Sequence, residues 1–193
     1  MSRTNTTRLG ALALSLLLVG FLVVTGSRAA FTATTDNPGN SWETGTVSLE
    51  DDDTTKAMFT AIDLKGGDVL ENCIVVTYTG SLDADVTLYA ESLAGSLGTY
   101  LDLEVEIGDG GSFSDTATQN GEVECTGFSG SSIYSGTLAG FAGASTDFAS
   151  GVGIWAPSTD DYKTYRFVVT VQDNNNAQGQ SASVDFVWEA QNQ

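Results

Sequence analysis

The chain has 193 residues, of which 25 are acidic, seven are basic and none is histidine, so its formal net charge at pH 7 is −18. Such an acidic surface repels nucleic acid and anionic lipid, which argues against partners of either kind. Without histidine, the chain cannot build a Ser/His/Asp triad, a Cys/His pair or a His-ligated zinc site.

Residues 1–29 have the layout of a secretory signal peptide. Two arginines precede the apolar run Leu9–Val24. Small residues three apart then favour cleavage between Ala29 and Ala30 by a signal peptidase. The chain is therefore expected to be secreted and to contact the membrane only through the signal peptide, before cleavage. The alternative is an uncleaved membrane anchor, because the apolar run is nearly long enough to span a bilayer.

The mature chain is expected to carry an extended segment at residues 30–40 and one domain at residues 41–193, which is long enough to bury its own core. Cleavage leaves four basic residues against 25 acidic ones, a net charge of −21. This charge suits high salt or divalent cations, which screen self-repulsion. The alternative interpretation is that the acidity only maintains solubility.

Most of the domain is predicted to form β-strands, because apolar residues recur at every second position. In Tyr100–Ile107, leucines and valine occupy one face while Asp102, Glu104 and Glu106 occupy the other, as in a half-buried antiparallel strand. Other strands are expected at Gly45–Glu50, Met58–Leu70 (with a Gly66-Gly67 turn), Asn72–Tyr78, Asp85–Glu91, Gly121–Gly127, Thr164–Asp173 and Ser181–Ala190.

Two adjacent strand pairs are predicted from short connections. Asn72–Tyr78 and Asp85–Glu91 are separated by a Gly-containing turn. Thr164–Asp173 and Ser181–Ala190 flank Asp173–Gly179 (DNNNAQG), which has the residues of a turn and favours a hairpin.

One short helix is predicted within the Gly/Ser-rich stretch Ser129–Pro157. Thr137 has the side chain of an N-cap, and Leu138, Phe141 and Ala142 follow at helical spacing. With seven to nine short strands around it, the sequence predicts an all-β fold: a single jelly-roll-like antiparallel β-sandwich with one short helix, preceded by a helical signal peptide.

The two cysteines, Cys73 and Cys125, both lie in the exported part of the chain. An even count in an oxidising compartment predicts one disulfide. It would close a loop of about 53 residues and contribute about 4 kcal/mol in the chain-entropy treatment. The alternative is a pair of free buried thiols.

Acidic loops make calcium the one cofactor to consider. Weak candidate ligands are Asp51, Asp52, Asp53, Asp160 and Asp161. The alternative is that these loops are only solvated. The stretch DNNNAQG does not fit an EF-hand loop, because its sixth position is Gln178 where glycine is needed.

Two further kinds of site were considered. The acidic residues of Tyr100–Ile107 lie along one solvent face, which favours a charged outer surface over a glycosidase carboxylate pair. Trp42, Trp155 and Trp188 are candidates for a sugar-stacking platform, but Trp188 is in register with Val184 and Phe186 and is predicted to be core.

Three stretches of the chain together resemble the TasA/camelysin family of secreted, fibre-forming matrix proteins, which includes related archaeal pili. The first is AAFTATTDNPGNSWETGTVSL at the cleavage junction, the second is AIDLKGGDVLENCIVVTYTGSLDADVTLYAE, and the third is GQSASVDFVWEAQ near the end. They cover both ends and about half of the mature chain. The chain departs from the family in being shorter than its best-known members, in having only three lysines and in its candidate disulfide.

The resemblance implies a jelly-roll subunit, cut by a dedicated signal peptidase of the SipW type and polymerised by donor-strand exchange. The donor-strand residues would then be Ala30, Phe31, Thr32, Ala33, Thr34 and Thr35. Phe31 and Ala33 share one face of the extended segment, and Pro38-Gly39 suits the hinge that follows it. The alternative is that residues 30–40 are a loose terminus or pair within their own domain.

The expected function is therefore a structural one: a subunit of extracellular fibres, in biofilm matrix or a surface pilus, whose partner is another copy of itself in a head-to-tail filament. One alternative is an extracellular calcium- or glycan-binding β-sandwich. The other is a metalloprotease like those described in the camelysin branch. That activity would need a metal site of carboxylates or thiolates alone, for which the sequence has no spaced motif, so no catalytic residues are expected.

Overall fold

The structure, a computed structural model, describes residues 44–114 and 125–193 and shows an all-β sandwich of two antiparallel sheets. Its strands are β1 (Leu49–Asp51), β2 (Val69–Tyr78), β3 (Ala84–Ala94), β4 (Leu101–Asp109), β5 (Ser129–Thr137), β6 (Val152–Trp155), β7 (Tyr162–Val171) and β8 (Ser183–Asn192). The α-helix of the described part, α1, spans Leu138–Ala144. Short 3₁₀ turns lie at Leu97–Tyr100, Phe148–Ser150 and Asn175–Ala177.

The larger sheet has the strand order β1-β2-β7-β4-β5, and the smaller sheet has the order β6-β3-β8. From β2 to β4 the chain changes sheet at every connection, and it does so again from β5 to β8. Repeated crossing between two sheets is the arrangement expected of the jelly-roll-like sandwich.

The core lies between the two sheets and is built from the inward faces of the strands. On β4 the predicted alternation is confirmed: Leu101, Leu103 and Val105 are buried, whereas Asp102 and Glu104 are exposed. The largest fully buried side chains of the core include Tyr78, Tyr165, Phe141, Phe167, Ile74 and Leu88.

The predicted helix is confirmed together with its cap. The backbone N–H of Gly140 donates to Oγ1 of Thr137 at 3.0 Å, which satisfies one of the amides that a helix start leaves unpaired. Leu138 and Phe141 are buried, and the Phe141 ring meets the Tyr134 ring at 4.9 Å between centroids. The helix therefore closes one end of the core.

Both predicted strand pairs are wrong. β2 pairs with β1 and β7 in the larger sheet, while β3 pairs with β6 and β8 in the smaller one. β7 and β8 likewise lie in different sheets, so DNNNAQG carries the chain from one sheet to the other. The physical reason is that alternation gives each strand one apolar face. Such a face can be buried equally well by strands of the opposite sheet whether or not the two strands are neighbours in one sheet.

The prediction for Met58–Leu70, a strand followed by a Gly66-Gly67 turn and the entry to the next strand, is wrong in its first part. Residues 57–64 form no strand, whereas the turn at Gly66-Gly67 is present and β2 begins at Val69. The strand predicted at Gly45–Glu50 is reduced to β1, since its ladder with β2 covers only three residue pairs. Most of the predicted strand Gly121–Gly127 lies outside the described residues.

The predicted disulfide is present. Cys73 of β2 and Cys125 are bonded, with 5.4 Å between their Cα atoms, and both are buried. The bond attaches the chain that follows residues 115–124 to the middle of β2. The structure therefore contains no free cysteine among its described residues.

Candidate functional site

Strand β8 has an open edge. It pairs with β3 on one side and has no strand on its other side within the described residues. Because alternate N–H and C=O groups of a strand point to either side, half of the backbone groups of this ten-residue strand face away from β3. Such an edge is a template for pairing with another chain.

The sequence of β8 determines which side chains lie beside that edge. Val184, Phe186 and Trp188 point into the sandwich, while Ser183 and Asp185 are exposed. The Phe186 ring packs 4.7 Å from the Phe167 ring of β7, measured between centroids, and the Trp188 ring lies 5.4 Å from that of Tyr165. The core prediction for Trp188 is therefore confirmed.

A groove with a volume of about 1040 Å³ runs beside this edge. Its apolar lining from the larger sheet comprises Leu70, Ile74, Leu101, Val169 and Val171. From β8 it is lined by Val184, Phe186 and Trp188.

The other wall of the groove is the segment Ala57–Leu64, which we call the wall segment. Met58, Phe59, Ala61 and Leu64 pack against the core, whereas Ile62 is 79% exposed. The segment is attached to β2 by a hydrogen bond from Nδ2 of the fully buried Asn72 to the carbonyl oxygen of Met58, at 2.8 Å. Apolar packing, more than backbone pairing, holds the wall segment in place.

Charged groups lie at the outer rim of β8. The Tyr89 hydroxyl of β3 donates to Oε2 of Glu189 at 3.0 Å, and Nε2 of Gln191 donates to the other carboxylate oxygen at 2.7 Å. Burial of the phenol, together with the adjacent Glu189 carboxylate, raises the pKa of Tyr89 to about 12. These bonds fix the carboxylate on the outer face of the sheet, away from the apolar groove.

The carboxylates predicted as weak calcium ligands are mostly bound to backbone amides. Asp52 accepts from Val75 N at 2.8 Å and from Phe113 N at 2.9 Å, and Asp161 accepts from Ser158 N at 2.8 Å. Within residues 44–114 and 125–193, no group of three Cys, Asp or Glu side chains is placed to hold a metal ion. Asp51, Asp53 and Asp160 therefore do not join the others in a cation site.

The tryptophans that the structure describes do not form a flat platform for sugars. Trp155 and Trp188 are both partly buried, and their indole Nε1 atoms are buried without a hydrogen-bond partner among the described residues. A stacking platform needs an exposed ring face, and both indole N–H groups are buried, out of reach of a sugar hydroxyl. Trp42 lies outside the described residues.

The predicted assembly residues also lie outside the described part of the chain. These are the cleavage site at Ala29 and Ala30 and the donor segment from Ala30 to Thr35, together with its continuation to Asn40. Within the described residues, the structure shows an open edge of β8 with a groove beside it. No sequence pattern indicated this edge, because alternation shows which face of a strand is buried but not which strands are neighbours.

No protein-family model and no curated protein matches the sequence of this chain. Among the residues that the structure describes, no helix has both the length and the apolar character needed to cross a bilayer. The function is therefore argued from the groove and the edge beside it.

Proposed function

We propose that this protein is a secreted structural subunit that polymerises into extracellular fibres, of a biofilm matrix or a surface pilus. In each contact, residues 30–40 of one copy would add as a strand to the free edge of β8 in the next copy. Cleavage between Ala29 and Ala30 would release that segment from the membrane. The protein has no catalytic role in this proposal.

One observation carries the proposal: among the described residues, one edge of the ten-residue strand β8 pairs with no other strand, and it lies beside a groove lined in part by apolar side chains of both sheets. An added strand gains main-chain hydrogen bonds from the edge, and its alternate side chains gain specificity from the groove. An open edge also makes a protein prone to aggregation, so most sandwiches cover it. A subunit that assembles through the edge would have to keep it open.

The size of the donor segment matches the acceptor. Eleven extended residues span roughly 36 Å and the ten residues of β8 roughly 33 Å, at 3.3 Å per residue. The part of β8 that lines the groove runs from Ser183 to Trp188, six residues, which is the length of Ala30–Thr35. With Phe31 and Ala33 facing inward, the segment would place one aromatic and one small side chain against Phe186 and its neighbours.

The contact is heterologous, because the donor segment and the acceptor edge are different surfaces of the subunit. Heterologous contacts that do not close into a ring produce an open filament. With a net charge of −21 on each mature subunit, repulsion between neighbours opposes assembly, and salt screens it. Fibres are therefore expected to grow faster in high salt than in low salt.

Electron microscopy of the mature chain, residues 30–193, tests the proposal. Fibres are expected from this chain, and none from a chain that starts at residue 41. The matched point variants are Phe31→Ser, which removes the inward aromatic side chain, and Thr32→Ser, which changes the opposite face. We expect Phe31→Ser to abolish fibres and Thr32→Ser to retain them. Fibres from the chain that starts at residue 41 would show the proposal to be wrong.

A further inference from the structure

We propose that the wall segment is a second pairing edge of the acceptor, so that an inserted strand is hydrogen-bonded to β8 on one side and to Ala57–Ile62 on the other. This inference rests on the proposed function, since it describes the same groove and takes residues 30–40 of another copy as the occupant. The wall segment would then become a strand only in the assembled fibre.

The sequence of the wall segment is that of a strand. Met58-Phe59-Thr60-Ala61-Ile62 contains aromatic and β-branched residues of the kind that strands favour, yet the structure leaves the segment irregular. Ile62 remains largely exposed, although a side chain of this size gains from burial. A strand-forming sequence without a ladder suggests that its pairing partner is missing from the isolated subunit.

The backbone of the wall segment is free to pair. Its amides donate no hydrogen bond to any residue that the structure describes, and of its carbonyl groups only that of Met58 accepts one there. From Ser183 to Trp188, β8 has backbone groups on the side of the same groove that have no partner among the described residues. A strand lying between them would satisfy both sets at once, whereas a strand bound to β8 alone would keep an open edge of its own.

Hydrogen bonds fix the chain near both ends of the wall segment, so its middle stays beside the groove. At one end, Asn72 holds Met58, as described above. At the other end, Lys65 N donates to Oδ2 of the buried Asp68 at 2.9 Å, and Gly67 N donates to Val171 O at 2.8 Å. Asp63 has a φ of 57°, which no strand residue adopts, so the new strand would end at Ile62.

The new strand would therefore cover Ala57–Ile62. These six residues equal the number in Ala30–Thr35 and the number in Ser183–Trp188, the part of β8 that lines the groove. The ladder between the wall segment and the inserted strand would therefore be six residues long and end at Ile62.

Amide hydrogen exchange measured by mass spectrometry tests the inference. The mature chain is kept monomeric at low salt and low concentration, and a synthetic peptide of residues 30–40 is added in excess. If the inserted strand pairs on both sides, exchange slows at least tenfold in β8 and also in residues 57–62, while β7 amides, already paired on both sides, serve as the internal control.

The outcomes separate the two proposals. Slowing in β8 without slowing in residues 57–62 shows the inference to be wrong and leaves the proposed function standing. Slowing in residues 57–62 alone contradicts pairing on both sides. If the peptide slows exchange in neither region, both the inference and the proposed function fail.

A proline variant tests the same point through affinity. Thr60 is exposed, and its N–H makes no hydrogen bond to the described residues. Because the N–H groups of neighbouring strand residues point to opposite sides, proline is introduced separately at Thr60 and at Ala61, and one of the two variants loses a donor to the inserted strand. Thr60→Ala is the matched control that keeps both donors. We expect the peptide to bind at least tenfold more weakly to one of the two proline variants and less than threefold more weakly to the alanine variant. Unchanged affinity for both proline variants would contradict the inference, and the exchange experiment on the unaltered chain decides the matter should the proline variants not fold.

Discussion

Phe141 and Phe186 contact each other, with 6.0 Å between ring centroids, but they face different surroundings. Phe141 of α1 is fully buried in the core, whereas Phe186 of β8 is partly exposed and lines the groove. Replacing each by alanine in turn compares a closed site with one that is open on the groove side. The difference between the two free energies measures how open the groove is in the isolated subunit.

Truncating a fully buried phenylalanine to alanine costs about 3–5 kcal/mol, from lost burial and the cavity left behind. Phe141→Ala is expected to lower the free energy of unfolding by this amount. Part of the Phe186 side chain is already exposed to the groove, and its truncation would enlarge the groove without leaving a closed cavity. We therefore expect Phe186→Ala to cost about half as much, about 1.5–2.5 kcal/mol.

Urea unfolding of the monomeric chain, followed by tryptophan fluorescence, measures both variants. In a domain of this size 1 kcal/mol shifts the melting temperature by about 3 °C, so calorimetry should show decreases of about 12 °C for Phe141→Ala and about 6 °C for Phe186→Ala. Equal losses for the two variants would refute the reasoning, because they would mean that the groove is filled in the isolated subunit. When the peptide of residues 30–40 is added, the loss in free energy of unfolding should become larger for Phe186→Ala and stay the same for Phe141→Ala.

Four further outcomes are expected. Replacing Cys73 and Cys125 together by serine should lower the free energy of unfolding by up to about 4 kcal/mol in denaturant titrations, and no loss would mean that the bond is absent in solution. Arg166→Met should cost about 1–2 kcal/mol, more at low salt than at high salt, because the Arg166 guanidinium holds two carboxylates, one from β2 and one from β4, on the outer face of the sheet; a salt-independent cost would contradict this. Hydrogen bonds from Ser150 hold the pKa of Asp147 below its usual value, so the stability it contributes is present above the unfolded-state pKa and is lost as the pH falls through the folded-state pKa; Asp147→Asn should reduce that acid-side loss in pH-dependent melting curves. Tyr89 has the opposite sign: its pKa, raised to about 12, gives stability that is complete below pH 10 and lost as the pH rises towards 12, and Tyr89→Phe should remove this alkaline loss.

Period-two alternation identified strands and their buried faces correctly wherever one face is apolar, as on β4 and β8. It could not identify which strands are neighbours, since a face that is buried does not specify what covers it. Short connections therefore suggested hairpins at β2–β3 and at β7–β8, where the chain in fact crosses between sheets.

Strands without alternation were missed. β5 (SGSSIYSGT) lies at a sheet edge and buries little of its surface, so its sequence needs no apolar period. The short β6 (VGIW) escaped notice because its Gly153 has a positive φ of 67°, which interrupts the strand pattern. By contrast, the cap at Thr137 was predictable, because capping depends on one side chain and its own helix.

The groove lies beyond such local rules. Its lining comes from four separate parts of the chain, which the crossings between sheets bring together. The wall segment was read as a strand because its residues favour one, but a strand also requires a partner in register. Residues 57–64 have the propensity for a strand but no pairing partner among the described residues, and the sequence alone shows only the propensity.

The bond between Cys73 and Cys125 has a consequence for proteolysis. A protease that cuts any one peptide bond between these two residues produces two fragments that stay covalently joined, the first holding β1 and the second holding β5 to β8. Such a nicked chain would migrate as one species on a gel without reductant and as two species with it. The subunit can thus be cut once in this region without losing either fragment.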